Sequence, residues 1–205
     1  VVQYDGLQWS QRPPYLFAIN TSAKIGTSTA GLLAGGRTNS SYITNVAKYD
    51  DALNTCIGAW SFGTKMNTAR GYLGGAGTSQ NAALAFGGMT PTSQTATEEY
   101  NGSTWATGGS LATARQALGN AGSQDAALAF AGYNGSTNYT CTEKYDGTSW
   151  SSTGAIINAR FGIGGFGTQN AAAGAGGGPP YDTTCTEEYN GSTWAAGGSL
   201  NQARR

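Results

Sequence analysis

The chain has 205 residues, of which 39% are hydrophobic, only 11% are charged and 33 are glycine; such a chain turns often and solvates itself with Ser, Thr, Asn and Gln. Eleven Lys and Arg balance eleven Asp and Glu, so no basic field exists to draw in phosphate backbones or anionic lipid, and no apolar run approaches the roughly 20 residues of a membrane-spanning helix. Neither nucleic acid nor membrane insertion is expected, and the lack of a leading Met or signal-type segment reads as a fragment or a processed product.

From the N-terminus, the first recognisable element is YDGLQW at 4 to 9, two β-prone stretches around Asp5-Gly6. RPPYLF from 12 follows, then a small-residue run, AGLLAGG at 30 to 36, and a Tyr49 to Trp60 segment with a long intervening turn. Beyond residue 63 the pattern becomes regular: Trp60, Trp105, Trp150 and Trp194 recur at intervals of 45, 45 and 44, and Arg70, Arg115, Arg160 and Arg204 keep the same spacing. A fixed period of this size marks a repeat architecture. Each unit holds three blocks in the same order. A small-residue run comes first (AALAFGG at 82, AALAFAG at 126, AAAGAGG at 171), then TEEYNGSTW or TEKYDGTSW, then LATAR or INAR.

Asn101-Gly102, Asp146-Gly147 and Asn190-Gly191 each read as a two-residue type I′ hairpin turn, which needs φ > 0 twice. That register sets Tyr100 opposite Ser103 and Glu98 opposite Trp105. Alternation then puts Glu98, Tyr100 and Trp105 on one face, which is the buried one, and Thr97, Glu99 and Thr104 on a solvated one. Position 99 becomes Lys144 and Glu188 in later copies, a sign swap suited to solvent. Small residues on both faces of the Ala82 run imply close neighbours on both sides. A radial array of sheets meets that demand, with narrow inner strands and Tyr and Trp outside. The first strand of each unit is expected directly after the Arg, as in 116 to 122.

A glycine doublet after an apolar strand, Tyr and Trp around a tight turn, and Arg opening the next unit resemble the Kelch repeat. The match covers 64 to 205 well and 1 to 63 weakly. The short TEEYNG form in an uncharged Gly, Ser and Thr background is also similar to repeats in structural proteins of tailed bacteriophages. The resemblance implies an all-β fold, a β-propeller of four-stranded antiparallel kelch-type blades, with four complete blades and an outer half-blade. Residues 1–11 are the half-blade, 12–62 blade 1, 63–107 blade 2, 108–152 blade 3, and 153–205 blade 4 with the start of a further strand. The missing inner strands are expected from chain outside 1–205 or from another subunit.

The chemistry of such a chain is restricted. With no histidine, copper sites of the galactose-oxidase kind and His-dependent Ser or Cys catalysis lack a needed group. A sialidase is disfavoured because arginine recurs once per blade, and YDGTSW at 145 has the wrong spacing for an aspartate box. Glu98, Glu143 and Glu187 lie on the buried face, where a carboxylate must be paired; Arg70, Arg115 and Arg160 are the expected inter-blade partners. Tyr100, Trp105, Tyr145, Trp150, Tyr189 and Trp194 complete the structural set. Cys141 and Cys185 are expected as small buried residues, too far apart for a disulfide, and Cys56 has no nameable partner. No catalytic residue, metal or cofactor is expected.

Positions that differ between copies are free to recognise a ligand. The loops from 36, 88, 132 and 176 differ most and emerge on one face, where Tyr15, Arg37, Tyr42, Met89, Tyr133, Tyr139 and Tyr181 are the candidate binding residues. Tyr, Gly, Ser and Asn on rigidly held loops suit protein or glycan recognition. The expectation is a non-enzymatic virion or cell-surface module within a larger assembly, contacting other protein subunits or surface glycan. The alternatives are a cytoplasmic kelch adaptor, disfavoured because this face offers chiefly Arg37, Arg12 and Lys24, and a glycan-active propeller enzyme.

Overall fold

The computed structural model describes residues 2–4, 9–11, 21–27, 30–50, 59–178 and 182–205. Among them every regular element is a strand, and sixteen strands form four antiparallel four-stranded sheets arranged as a β-propeller. Blade 1 contains β3 (Ala23–Gly26), β4 (Ala30–Ala34), β5 (Val46–Asp50) and β6 (Ala59–Gly63). Blade 2 contains β7 (Gly74–Ser79), β8 (Ala82–Phe86), β9 (Thr97–Tyr100) and β10 (Trp105–Thr107). Blade 3 contains β11 (Gly119–Gly122), β12 (Ala127–Phe130), β13 (Thr142–Tyr145) and β14 (Trp150–Thr153). Blade 4 contains β15 (Gly164–Thr168), β16 (Ala171–Ala175), β17 (Thr186–Tyr189) and β18 (Trp194–Ala196). A separate two-stranded hairpin, β1 (Val2–Tyr4) with β2 (Trp9–Gln11), precedes them. The first strands β7, β11 and β15 each begin four residues after Arg70, Arg115 and Arg160, later than the sequence pattern indicates.

Inner strands pack side by side in the order β3, β7, β11, β15. Their small residues are what permits this. A Cβ placed on Gly75 would lie 2.8 Å from Cγ1 of Ile25 in blade 1, and one on Gly165 would lie 2.3 Å from the Asn120 carbonyl in blade 3. The glycine doublet that ends each second strand has a different cause. Gly35-Gly36, Gly87-Gly88 and Gly176-Gly177 all have positive φ, and in blade 3 Ala131 (φ 58) precedes Gly132, a region that side chains other than glycine enter only at a cost.

The outer hairpins correct the predicted register. Tyr100 pairs with Trp105, Tyr145 with Trp150 and Tyr189 with Trp194, so four residues, not two, make each turn. Asn101 Oδ1 accepts from the amides of Ser103 (3.0 Å) and Thr104 (2.9 Å), and only Gly102 within that turn has positive φ. The side chain of Asn101 has replaced a type I′ turn with a longer one. The shift is by two residues, so facial parity survives, and each Tyr and Trp meet across the hairpin at centroid distances of 4.9 to 5.1 Å.

The expected solvated face is corrected in part: Thr104 is exposed as expected, but its neighbours on that face are not. Thr97 and Thr142 are fully buried and Glu99 and Lys144 half-buried, because each blade turns this front face to the next blade. Along the front of blade 2 run Ala76, Leu84, Phe86, Thr97 and Glu99, and along that of blade 3 run Ala121, Leu128, Phe130, Thr142 and Lys144. The following blade answers with its Tyr and Trp. The indole N–H of Trp150 donates to Thr97 Oγ1 (3.0 Å) and that of Trp194 to Thr142 Oγ1 (3.1 Å), while Phe86 packs on Trp150 and Phe130 on Trp194. The position that alternates in sign is an inter-blade tether. Lys48 donates to the Gly102 carbonyl (2.7 Å) above the Tyr100 ring and Lys144 to that of Gly191 (2.8 Å) above Tyr189. Glu99 instead accepts from the Tyr145 hydroxyl.

Candidate functional site

Two conserved-in-repeat features build the loop face from below. The first is the arginine that opens each unit. Arg115 Nη2 meets Glu143 Oε1 at 2.8 Å, with both side chains essentially buried, and Nη1 donates to the carbonyls of Ala131 (3.0 Å) and Cys141 (2.7 Å). Glu143 Oε2 also accepts from the Ala112 amide (2.7 Å). Arg70 with Glu98 (2.9 Å) and Arg160 with Glu187 (2.6 Å) repeat the pair. Burial pulls Arg70 below its ordinary pKa, and the charge and hydrogen bond of Glu98 oppose that. Each ion pair lies within one blade, a correction to the expected inter-blade pairing. The link between blades comes from the backbone: the Arg70, Arg115, Arg160 and Arg204 carbonyls accept from Gly36, Gly88, Gly132 and Gly177 of the preceding blade at 2.6 to 2.9 Å. These carboxylates are fully engaged by structure and are not arranged as an acid and base pair.

The second feature is a belt two residues after each arginine. Tyr72 N–H donates to the Thr21 carbonyl, Ala117 N–H to that of Tyr72, and Gly162 N–H to that of Ala117, at 2.8 to 2.9 Å. All four residues have positive φ, from 49° to 64°. The belt fixes the connections around the propeller axis, so the residues beside it project from a rigid rim.

Those residues line an open cavity of about 450 Å³. Blade 1 contributes Arg37 and Tyr42, and blade 2 Tyr72 and Met89. Gln116, Ala117 and Tyr133 come from blade 3 and Phe161 from blade 4. Short bridges hold the rim: Arg37 pairs with Tyr42, Gly71 with Met89, Gln116 with Tyr133 and Phe161 with Gly178. Gly71 is small because a Cβ there would lie 3.1 Å from Cδ1 of Tyr42. The Arg37 guanidinium stands 5.8 Å from the Tyr42 ring centre, and Tyr133 stacks on Phe161 at 5.0 Å with planes 26° apart. Among the described residues the wall includes one cation, four aromatic rings and no carboxylate, a surface suited to stacking on a sugar or apolar side chain and pairing with an anionic group.

Arg37, Tyr42, Met89 and Tyr133 of the sequence candidates therefore share one cavity. Tyr139 does not line it; its hydroxyl accepts from Asn134 Nδ2 (2.7 Å) on the blade 3 loop. Tyr15, Tyr181, Arg12 and Cys56 lie outside the described residues, and Lys24 sits within β3. Tyr72, Gln116, Ala117 and Phe161 were not signalled. They occupy the two positions after each arginine, which vary in size between copies (Gly71-Tyr72, Gln116-Ala117, Phe161-Gly162), and that variation was the available clue. The cysteines also differ from expectation, with Cys141 half-buried and Cys185 exposed.

No protein-family model matches the chain, and a search of curated proteins found no match.

Proposed function

We propose that the chain is a kelch-type, non-catalytic structural and adhesive module, a fibre or decoration part of a tailed-phage virion or an equivalent cell-surface protein, that holds a glycan or protein ligand in the loop-face cavity. The observation that carries this reading is the convergence of Arg37, Tyr42, Met89 and Tyr133, variable residues of three separate blades, on one aromatic cavity. Concave aromatic surfaces with a few placed polar groups are the usual form of a binding site. The partly exposed rings of Tyr42, Tyr72, Tyr133 and Phe161 suit stacking on saccharide, and Arg37 favours a sugar bearing a carboxylate over a neutral one.

Screening against an array of neutral and acidic glycans, alongside a peptide library, tests the reading. Acidic saccharides are expected to bind, with affinity falling by about tenfold or more in Tyr133→Ala and Arg37→Ala. Binding confined to peptides would favour the intracellular adaptor. Saccharide binding unaffected by both substitutions would overturn the assignment of this cavity.

A further inference from the structure

Four rings line the loop-face cavity, and three of them are already engaged by the protein. Tyr42 faces the Arg37 guanidinium, while Tyr133 and Phe161 stack on each other and the Tyr133 hydroxyl donates to the Gly135 carbonyl. Tyr72 is half-buried in the same wall. Among the described residues its ring has no aromatic or cationic partner and its hydroxyl makes no hydrogen bond. Its backbone is strained as well. Tyr72 has φ 56°, a left-handed conformation that a Cβ makes costly for every residue but glycine. The belt itself does not require a side chain there. Its positions hold Thr21, Tyr72, Ala117 and Gly162, which share no side-chain property, and Gly162 makes the same hydrogen bond at φ 64° with no side chain at all.

We infer that Tyr72 is held in this conformation for the sake of its ring, as the stacking platform on which a saccharide ring sits; the assignment rests on the reading of the cavity as a glycan site. Strained backbone persists where the surrounding structure over-determines it, and it gathers at sites of ligand contact. Here the belt supplies the over-determination: the Tyr72 amide donates to the Thr21 carbonyl at 2.9 Å and the Tyr72 carbonyl accepts from Ala117 at 2.8 Å. The ring is thus presented from a backbone already fixed on both sides, and binding pays little for further ordering. For the fold alone, glycine at 72 is the cheaper residue, as blade 4 shows. The groups around the ring match the parts of a sugar. Its uncommitted face takes the apolar C–H face of a pyranose, while its hydroxyl and the side-chain amide of Gln116, which also makes no hydrogen bond among the described residues, are available to sugar hydroxyls. Stacking of this kind serves neutral and acidic sugars alike. Arg37 distinguishes them by charge, so the two residues have separable signatures.

Tyr72→Gly separates fold from site, with thermal unfolding reading the first and calorimetric titration of sialyllactose and its neutral parent lactose reading the second. The variant is expected to melt within about 4 °C of the parent and to lose affinity for both saccharides by about tenfold or more. Arg37→Ala is expected to weaken sialyllactose and leave lactose unchanged. Tyr72→Phe, which keeps the ring, is expected to bind both within about threefold of the parent. Tyr72→Ala keeps the strained Cβ and loses the ring, so it is expected to melt below Tyr72→Gly, the reverse of the usual order of the two residues. The proposal is overturned by a Tyr72→Gly variant that fails to fold, melts more than about 4 °C lower or binds saccharide undiminished, by Tyr72→Phe binding no better than Tyr72→Gly, or by Tyr72→Ala melting above Tyr72→Gly. In each of those cases saccharide binding by the parent stands. A parent chain that binds neither saccharide overturns the glycan reading of the cavity and the role of Tyr72 with it.

Discussion

Replacing Glu143 by alanine removes one half of a buried ion pair and leaves the other half in place. Arg115 is 0% exposed, and among the described residues its guanidinium has Glu143 as its only anion, at 2.8 Å. Uncompensated buried charges of this kind cost about 3–5 kcal/mol. Two things bear on where in that range the variant falls. Arg115 retains the carbonyls of Ala131 and Cys141, which favours the low end. The Ala112 amide loses its acceptor at 2.7 Å, which adds about 1 kcal/mol. A net loss of about 4 kcal/mol follows, a drop in Tm of roughly 8–16 °C for a chain of this size. Thermal unfolding followed by circular dichroism measures it. Removing the charge on both sides, as Glu143→Leu with Arg115→Met, is expected to recover part of the loss; blade 1 shows the precedent, with a fully buried Ala47 at the glutamate position. A Glu143→Ala variant that melts within a degree or two of the parent would refute the account of this pair as a structural element.

Two further outcomes follow from local geometry. In blade 3 the turn is held by Asp146, whose pKa is lowered by the amides of Ser149 and Thr148. Its contribution is therefore present at neutral pH and lost as pH falls through that lowered value. Asp146→Asn, which installs the residue found at 101 and 190, is expected to match the parent at neutral pH and to exceed it in acid; parallel melting profiles across an acid pH series would contradict this. Gly119→Ala puts a Cβ 2.2 Å from Cε2 of the buried Phe130, whereas Gly198→Ala meets nothing within 4 Å. Urea unfolding is expected to show a loss of about 1–3 kcal/mol for the first and no loss for the second, and equal stabilities would show that Phe130 moves freely.

The radial stacking was legible because it is written in residue size: glycine and alanine in every first and second strand leave no other way for sheets to approach so closely. The buried Glu and Arg pairs were legible from their spacing and from the cost of leaving either alone. Turn register was not, since Asn-Gly is compatible with both a two-residue and a four-residue loop, and the choice is made by Asn101 Oδ1 finding two amides. Burial of the Thr97 face was missed for a related reason. A sign change from Glu99 to Lys144 suggests water when only one sheet is considered, and the tyrosine that accommodates both signs belongs to the neighbouring blade. The cavity was half visible. Loop variability pointed to Arg37 and Tyr133, but nothing local marks Phe161 as a rim residue until the belt aligns the connections of successive blades.

A tyrosine that serves as hydroxyl donor to glutamate and as aromatic bed for lysine has an evolutionary consequence. A joint that tolerates either charge requires no matching change when one unit is copied, deleted or moved beside a different neighbour. Lys48, Glu99, Lys144 and Glu188 alternate along the chain without any blade needing a specific companion, so the number and order of units can drift by duplication while each new seam closes at its first appearance.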